Sequence, residues 1–193
     1  MARKTLNIPT ALTWARIAFI PLIVGVFYLP DAWCPPATQN ALACVMFVLA
    51  AITDALDGFI ARRWNMTTRM GAFLDTVADK LVVCSAIVVL LAFDRIDMIV
   101  ALIIVGREIA VTALREWMAK IGADDSVKVN WYGKIKAIAQ MTAIPMLLYY
   151  DDLFGIPFAA VGQVLIYVAA LLTLYSMVVY ALAAWPHLEA QDD

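Results

Sequence analysis

Six long apolar runs constrain the fold of this 193-residue chain more than any other feature. Each run is about 20 residues long, the length that an α-helix needs to cross the hydrocarbon core of a bilayer. Hydrophobic residues form 64% of the sequence and charged residues only 16%, against about 25% charged residues in soluble domains, which excludes an ordinary soluble enzyme. We therefore predict an all-α integral membrane bundle of six transmembrane helices in a single domain, residues 1–193. The helices are expected at residues 9–29, 38–62, 70–92, 97–119, 133–150 and 157–185.

The distribution of basic residues predicts how these helices are oriented. Lysine and arginine are enriched in the loops that stay in the cytoplasm. If the N-terminus is cytoplasmic, the loops on the opposite side of the membrane hold Arg95 as their single basic residue. We therefore expect both termini in the cytoplasm. The cytoplasmic side then collects Arg3, Lys4, Arg62, Arg63, Arg69, Lys120, Lys128, Lys134 and Lys136.

Four aspartates, Asp54, Asp57, Asp75 and Asp79, interrupt the second and third apolar runs. Steps of three and four residues place each pair on one helix face, and helical rise puts both pairs roughly 7–9 Å below the cytoplasmic surface. Ionised side chains at such depth are rare and usually functional. Four clustered carboxylates need cations, and two hard ions such as Mg²⁺ or Mn²⁺ would balance their charge. Paired ions of this kind support in-line phosphoryl displacement.

Small and basic residues lie between the two aspartate pairs. Gly58, Ala61 and Gly71 would let a bulky group approach the helix backbones, and Arg62 and Arg63 could pair with phosphate. Taken singly, the small residues are also typical of helix packing, and the arginines are typical of anchors at the cytoplasmic surface. The aspartates could also line a cation or proton path. The combination favours a phosphate-containing ligand.

The spacing Asp-x2-Asp-Gly-x2-Ala-Arg-x8-Gly-x3-Asp-x3-Asp, which begins at Asp54, resembles the signature of the CDP-alcohol phosphotransferase family at every fixed position. The resemblance implies a six-helix membrane enzyme, usually a homodimer, that transfers a phosphatidyl-type group from a CDP-linked lipid to an alcohol and releases CMP. It implies two metal ions, held by Asp54, Asp57, Asp75 and Asp79, with Asp79 also acting as the base toward the acceptor hydroxyl. The residues implied to hold the CDP moiety are Gly58, Ala61, Arg62 and Gly71.

The remaining sequence is similar to bacterial family members that use sn-glycerol 3-phosphate as the acceptor. The similarity rests on LNIPTALTWARIAFIP at the start, GREI (106–109), ALREW (113–117) and GKIKAIAQM (133–141). Thr10 and Ala137 depart from the pattern, in which Asn and Thr are expected, but neither change removes a charged group. The expected substrates are therefore CDP-diacylglycerol and sn-glycerol 3-phosphate, at a site facing the cytoplasm in the inner membrane. Membrane lipid is an expected partner and nucleic acid is not.

A phosphorylated acceptor needs cationic recognition, and several basic residues fall near the expected site. Two arginines separated by eight residues share a face of the fourth helix, and two lysines begin the fifth helix at the same surface. Glu108 and Glu116 could instead engage the arginines in structural pairs, and the lysines could be interfacial anchors. The candidates for binding the acceptor phosphate are Arg107, Arg115, Lys134, Lys136 and Arg16.

Two other functions fit parts of the sequence. The same chemistry could act on another alcohol, either phosphatidylglycerol, as in a cardiolipin synthase, or an inositol phosphate. A cation- or proton-coupled transporter could also carry intramembrane aspartates, but its sites are expected near the midplane on broken helices, often in two repeated halves. Here the acidic residues cluster toward one side and no internal repeat is visible. The sequence therefore favours the transferase.

Overall fold

The computed structural model describes residues 8–64, 69–121 and 131–192. Within these ranges, the structure describes only the backbone of some residues. These are residues 8–10, 57–58, 60–62, 64, 69, 72, 131–134, 183–184 and 186–192. The described chain is helical throughout, apart from short turns and one isolated β-bridge between Leu153 and Ile156. Its helices are α1 (Ile8–Gly25, followed by a 3₁₀ turn at Val26–Tyr28), α2 (Pro36–Trp64), α3 (Arg69–Ala92), α4 (Met98–Lys120), α5 (Trp131–Tyr149) and α6 (Phe158–Asp192).

The expected all-α architecture is confirmed for the described residues. The first five helices begin and end within a few residues of the expected bounds, whereas α6 continues to Asp192, beyond the expected end at residue 185. Three helical segments are long and apolar enough to cross a bilayer: Ala11–Tyr28, Pro36–Leu56 and Phe158–Leu182. Helices α3 and α4 carry charged side chains along their length, which lowers their hydropathy.

The packing order of the helices brings distant parts of the chain together. Helix α1 packs against both α2 and α3, α5 packs against α2 and α6, and α4 packs against α3 and α6. The shared core consists of aliphatic side chains, alanines and one phenylalanine, which fill the space between the helices. Because α1 contacts both α2 and α3, a residue on its inner face can reach both aspartate-bearing helices. The largest fully buried core side chains include Ile23, Phe47, Ile87, Leu90, Ile104, Ile144, Leu147 and Leu148.

Arg95 fastens the bundle at the end opposite the aspartates. It lies in the turn between α3 and α4, and its Nη1 donates hydrogen bonds to the carbonyl oxygens of Leu147 (3.0 Å) and Leu148 (2.7 Å) near the end of α5. Its Nη2 donates to Asn40 Oδ1 of α2 at 2.6 Å, and its guanidinium lies 4.6 Å from the ring centroid of Tyr150. A cation that satisfies terminal helix carbonyls and stacks on an aromatic ring is a favourable buried arrangement. This contact fixes α2, α5 and the α3–α4 turn relative to one another.

Candidate active site

Arg16 is the centre of an acidic cluster formed by α1, α2 and α3. Its side chain is 1% exposed, and its Nη1 lies 2.6 Å from Asp54 Oδ1 and 2.9 Å from Asp75 Oδ1. The two carboxylates are 41% and 43% exposed, so they face open space on the side away from Arg16. Charge-assisted hydrogen bonds of this kind are short and strong. One buried guanidinium therefore brings aspartates from two helices to the same place.

Asp79 lies between two cavities of different character. The acidic cavity, of about 150 Å³, is lined by Arg16, Asp54 and Asp79, together with apolar residues of α2, α3 and α5. The basic cavity, of about 220 Å³, also includes Asp79 in its lining and continues to α4, α5 and α6. Among the described residues, Asp79 is the one charged residue that lines both cavities. Its carboxylate can therefore act on a group that enters from either side. The charged and polar residues of the basic cavity are Asp79, Lys80, Arg107, Glu108, Arg115, Lys136, Gln140 and Tyr180.

Glu108 holds three cations of the basic cavity in place. Its Oε1 accepts hydrogen bonds from Lys136 Nζ at 2.8 Å and from Arg107 Nη1 at 3.0 Å. Its Oε2 accepts one from Lys80 Nζ at 3.2 Å. The cations come from α3, α4 and α5, so a single carboxylate connects three helices. Like charges at such short separation repel one another strongly, and the shared carboxylate offsets that repulsion.

Helix α6 orients the two arginines from the other side of the basic cavity. Arg115 Nη2 donates to Tyr180 Oη at 3.3 Å, and the guanidinium lies 5.5 Å from the ring centroid of the same tyrosine. Arg107 Nη2 donates to Ser176 Oγ at 3.4 Å. Ser176 and Tyr180 are four residues apart and therefore lie on one face of α6. The arginines are thus held by α6, with their remaining donors available to the cavity.

The structure brings together most of the site residues expected from the sequence. Arg16, Asp54 and Asp79 line the acidic cavity, and Asp75 is joined to them through its contact with Arg16. The expected role of Arg16 in binding the acceptor phosphate stays a prediction. Gly71 lies one turn before Asp75 on α3 and is partly buried. The basic cavity contains Arg107, Arg115 and Lys136. The expected site residues whose side chains lie outside the description are Asp57, Gly58, Ala61, Arg62 and Lys134.

Sequence reasoning missed three polar residues of the basic cavity. Lys80 follows Asp79 directly inside an apolar run, where a lysine is as unusual as the aspartate before it. Gln140 lies four residues after Lys136, which places both on one face of α5. Tyr180 had no distinguishing signal, because a tyrosine in an apolar helix is ordinary. The sequence predicts Glu108 only as a partner of Arg107, and its contacts with Lys80 and Lys136 depend on how the helices pack.

The donor groups of the acidic cluster suit a hard divalent cation. Carboxylate oxygens are the ligands that Mg²⁺ and Mn²⁺ prefer, and Asp54 and Asp75 already share one positively charged partner in Arg16. Among the residues that the structure describes, no group of three or more histidine, cysteine, aspartate or glutamate side chains is arranged to hold a metal ion. Asp57 is outside that set. The chemistry of the donors therefore fits the expected ions, and the complete ligand set stays a prediction.

The described residues form an all-helical bundle with apolar helices long enough to cross a bilayer, an acidic cluster and an adjoining basic cavity, which is the class of a helical membrane protein with a charged internal site. Comparison with known proteins identifies the family. The sequence profile of the CDP-alcohol phosphatidyltransferase family matches residues 6–179. The chain belongs to this family, as the aspartate spacing predicted.

Curated relatives align with nearly the whole chain, and three of them illustrate the similarity. Each is named CDP-diacylglycerol–glycerol-3-phosphate 3-phosphatidyltransferase. The protein from Salmonella choleraesuis (strain SC-B67) is 47% identical over 180 residues, which cover 92% of this chain and 94% of the relative. The Sodalis glossinidius protein is 49% identical over 183 residues, covering 93% and 95%. The Yersinia enterocolitica protein is 47% identical over 185 residues, covering 95% and 97%.

Proposed function

We propose that this protein is a transferase that moves the phosphatidyl group of CDP-diacylglycerol to sn-glycerol 3-phosphate, giving phosphatidylglycerophosphate and CMP. The observation that carries the proposal is the position of Asp79 between the acidic and basic cavities. A base that serves both sides can meet an acceptor hydroxyl at the point where the donor phosphate is attacked. The names of the full-length relatives support the same reaction.

The charges of the basic cavity suit the phosphate of the acceptor. Its lining contains four cations and two carboxylates, which leaves a net formal charge of +2. A phosphate monoester carries about −1.5 to −2 at pH 7. We assign phosphate binding to Arg107, Arg115, Lys134 and Lys136, because guanidinium groups bind phosphate oxygens in pairs and lysines add compact charge. Arg16, next to Asp54 and Asp75, would contact the acceptor phosphate from the acidic side.

The donor lies on the acidic side of Asp79 in this proposal. Gly58, Ala61, Arg62 and Gly71 would hold the CDP moiety, because small residues admit the nucleotide and the arginine pairs with its phosphate. Two divalent cations, Mg²⁺ or Mn²⁺, when bound would neutralise the pyrophosphate and polarise its phosphorus–oxygen bonds. The residues that would hold them are Asp54, Asp57, Asp75 and Asp79.

The chain's own groups then carry the chemical step. Asp79 accepts the proton of the terminal acceptor hydroxyl, and the oxygen attacks the lipid-side phosphorus in line. A new phosphorus–oxygen bond forms as the pyrophosphate bond breaks, and CMP leaves with the electron pair. Arg62 and Arg16 offset the charge that develops on the phosphate oxygens. Protonated Asp79 returns its proton to water once the product has left.

The placement in the membrane follows from the distribution of charge and apolar surface. We propose six transmembrane helices in one domain, residues 1–193, with both termini and the active site at the cytoplasmic face of the bacterial inner membrane. Large apolar side chains such as Leu102, Val164 and Leu171 are exposed along the helices, which suits contact with lipid. A homodimer is the proposed assembly, and no nucleic acid partner is expected.

The direct test is turnover by the protein purified in detergent. It would receive CDP-diacylglycerol, Mg²⁺ and one acceptor at a time, and CMP and the lipid product would be measured. We expect product with sn-glycerol 3-phosphate, and its loss on addition of EDTA or in Asp79→Asn. Asp152→Asn, the same change in the exposed α5–α6 loop, is the matched control and should retain activity. Turnover with only a different alcohol would overturn the acceptor assignment, and folded protein that releases no CMP with any acceptor would overturn the enzyme.

A further inference from the structure

Gln140 is a buried polar residue in the basic cavity that the proposed mechanism does not use. Its side chain lies on α5, one turn after Lys136, and the residue is only 4% exposed. Its Oε1 atom is buried and has no hydrogen-bond partner among the described residues. A buried acceptor without a partner costs free energy, so such an atom in a native cavity requires an explanation. A ligand that supplies a donor would satisfy it.

The ligand of this cavity must supply both an acceptor and a donor. Arg107 Nε is a buried donor that also lacks a partner among the described residues. A phosphate oxygen can satisfy Arg107, but a phosphate dianion carries no hydrogen to give to Gln140. The Glu108 carboxylate already accepts from three cations. The polar atom of Gln140 is therefore matched to a hydroxyl group of the ligand rather than to its phosphate.

sn-Glycerol 3-phosphate carries two hydroxyl groups, and only the terminal one attacks the donor. In the proposed reaction Asp79 takes the proton of that terminal hydroxyl. We infer that Gln140 Oε1 accepts a hydrogen bond from the second hydroxyl, at C2, and so determines specificity for this acceptor. The inference rests on the proposed function. In this arrangement Asp79 on α3 accepts from the terminal hydroxyl, Gln140 on α5 accepts from the C2 hydroxyl, and the basic residues of the cavity bind the phosphate.

The contact between Gln140 and the C2 hydroxyl would also orient the terminal hydroxyl for attack. The C2 hydroxyl is attached to the carbon next to the one that carries the nucleophile. Holding C2 at Gln140 therefore limits rotation of the terminal hydroxyl and keeps it near Asp79. A site built to hydrogen-bond a substrate hydroxyl also discriminates strongly against an analogue that lacks it, because the buried acceptor is then left unpaired.

The test compares sn-glycerol 3-phosphate with 3-hydroxypropyl phosphate, which lacks only the C2 hydroxyl. For the wild type we expect kcat/KM to be on the order of 10- to 100-fold higher for sn-glycerol 3-phosphate. In Gln140→Leu that ratio should fall to about one, mainly through loss of activity on sn-glycerol 3-phosphate. Gln140→Glu keeps an acceptor oxygen and should keep the preference. Gln163→Leu, an exposed glutamine at the opposite end of the bundle, should match the wild-type ratio.

The outcomes separate this inference from the proposed function. Equal use of both acceptors by the wild type would overturn the hydroxyl contact while leaving the transferase in place. An unchanged preference in Gln140→Leu would overturn the role of Gln140. If Gln140→Leu does not fold, Gln140→Met, which also lacks a strong acceptor, takes its place in the comparison, and an unchanged preference there would overturn the role of Gln140. Failure of the wild type to turn over sn-glycerol 3-phosphate at all would overturn the proposed function and this inference with it.

Discussion

Replacing Glu108 by glutamine removes the one carboxylate that three cations of the basic cavity share. Glutamine keeps the shape of the side chain and one acceptor oxygen, so the change isolates the charge. Lys80, Arg107 and Lys136 would then face one another without their counter-ion, at nitrogen–oxygen distances of 2.8–3.2 Å from the substituted group. We expect the folded state to be destabilised rather than merely less active.

The structure sets the size of this effect. Removing one partner of a buried ion pair typically costs about 3–5 kcal/mol. Glu108 is 14% exposed and Lys80 28% exposed, so water reaches part of the cluster and the lower end of the range applies. We therefore expect a loss of about 3 kcal/mol in the free energy of unfolding. For a chain of this length the loss corresponds to a decrease in Tm of roughly 6–12 °C.

Thermal unfolding in detergent, followed by tryptophan fluorescence, measures the decrease. Glu116→Gln is the matched control, because Glu116 is on the same helix, is 68% exposed and pairs only with exposed Lys120 in the described structure. An exposed pair of this kind contributes less than about 1 kcal/mol. The double variant Glu108→Gln/Lys136→Met should lose less stability than the sum of the two single variants. Equal Tm values for Glu108→Gln and Glu116→Gln would refute the reasoning.

Two further predictions concern packing away from the site. Arg95→Met should lower the free energy of unfolding by about 2–4 kcal/mol, because the buried carbonyl of Leu147 and the amide oxygen of Asn40 lose a charged donor. A loss below about 1 kcal/mol, measured by thermal unfolding, would contradict this. Gly162→Ala should cost about 1–3 kcal/mol, because its new Cβ would lie 2.9 Å from Leu147 Cγ at the α5–α6 contact. Gly25→Ala is the control, because a Cβ added at Gly25 would have no atom within 4 Å and the residue has a helical φ of −65°. The Tm of this variant should be unchanged or slightly raised. Equal effects at the two glycines would contradict the packing argument.

The sequence was sufficient to predict the helices and the acidic cluster. Apolar runs indicate segments that are buried or in contact with lipid, and the ends of those runs predict the helix bounds. The spacing of Asp75 and Asp79 predicts that they share a helix face, which is a local property of the α-helix. Charged side chains in apolar segments are costly, so their positions marked the site without knowledge of the tertiary fold.

The partners of these residues could not be predicted, because they depend on the order in which helices pack. Arg16 is separated by 59 residues from Asp75, and nothing local indicates that α1 packs against both aspartate-bearing helices. The sequence offers Arg16 as a ligand of the acceptor phosphate, and its contacts with two carboxylates cannot be predicted from local spacing. Glu108 had the same ambiguity, since its contacts with Lys80 and Lys136 each span 28 residues.

The two charged clusters have opposite compositions, and we expect this difference to orient the acceptor. On one side a single guanidinium, that of Arg16, holds two carboxylates; on the other a single carboxylate, that of Glu108, holds three cations. We expect a phosphate monoester to be attracted to the second cluster, whose cavity lining has a net formal charge of +2. If the phosphate end is held among the cations, the hydroxyl end of a short alcohol must point toward Asp79, the charged residue that the described linings of both cavities share. We therefore expect the cations around Glu108, rather than the aspartates around Arg16, to set the direction in which the acceptor binds.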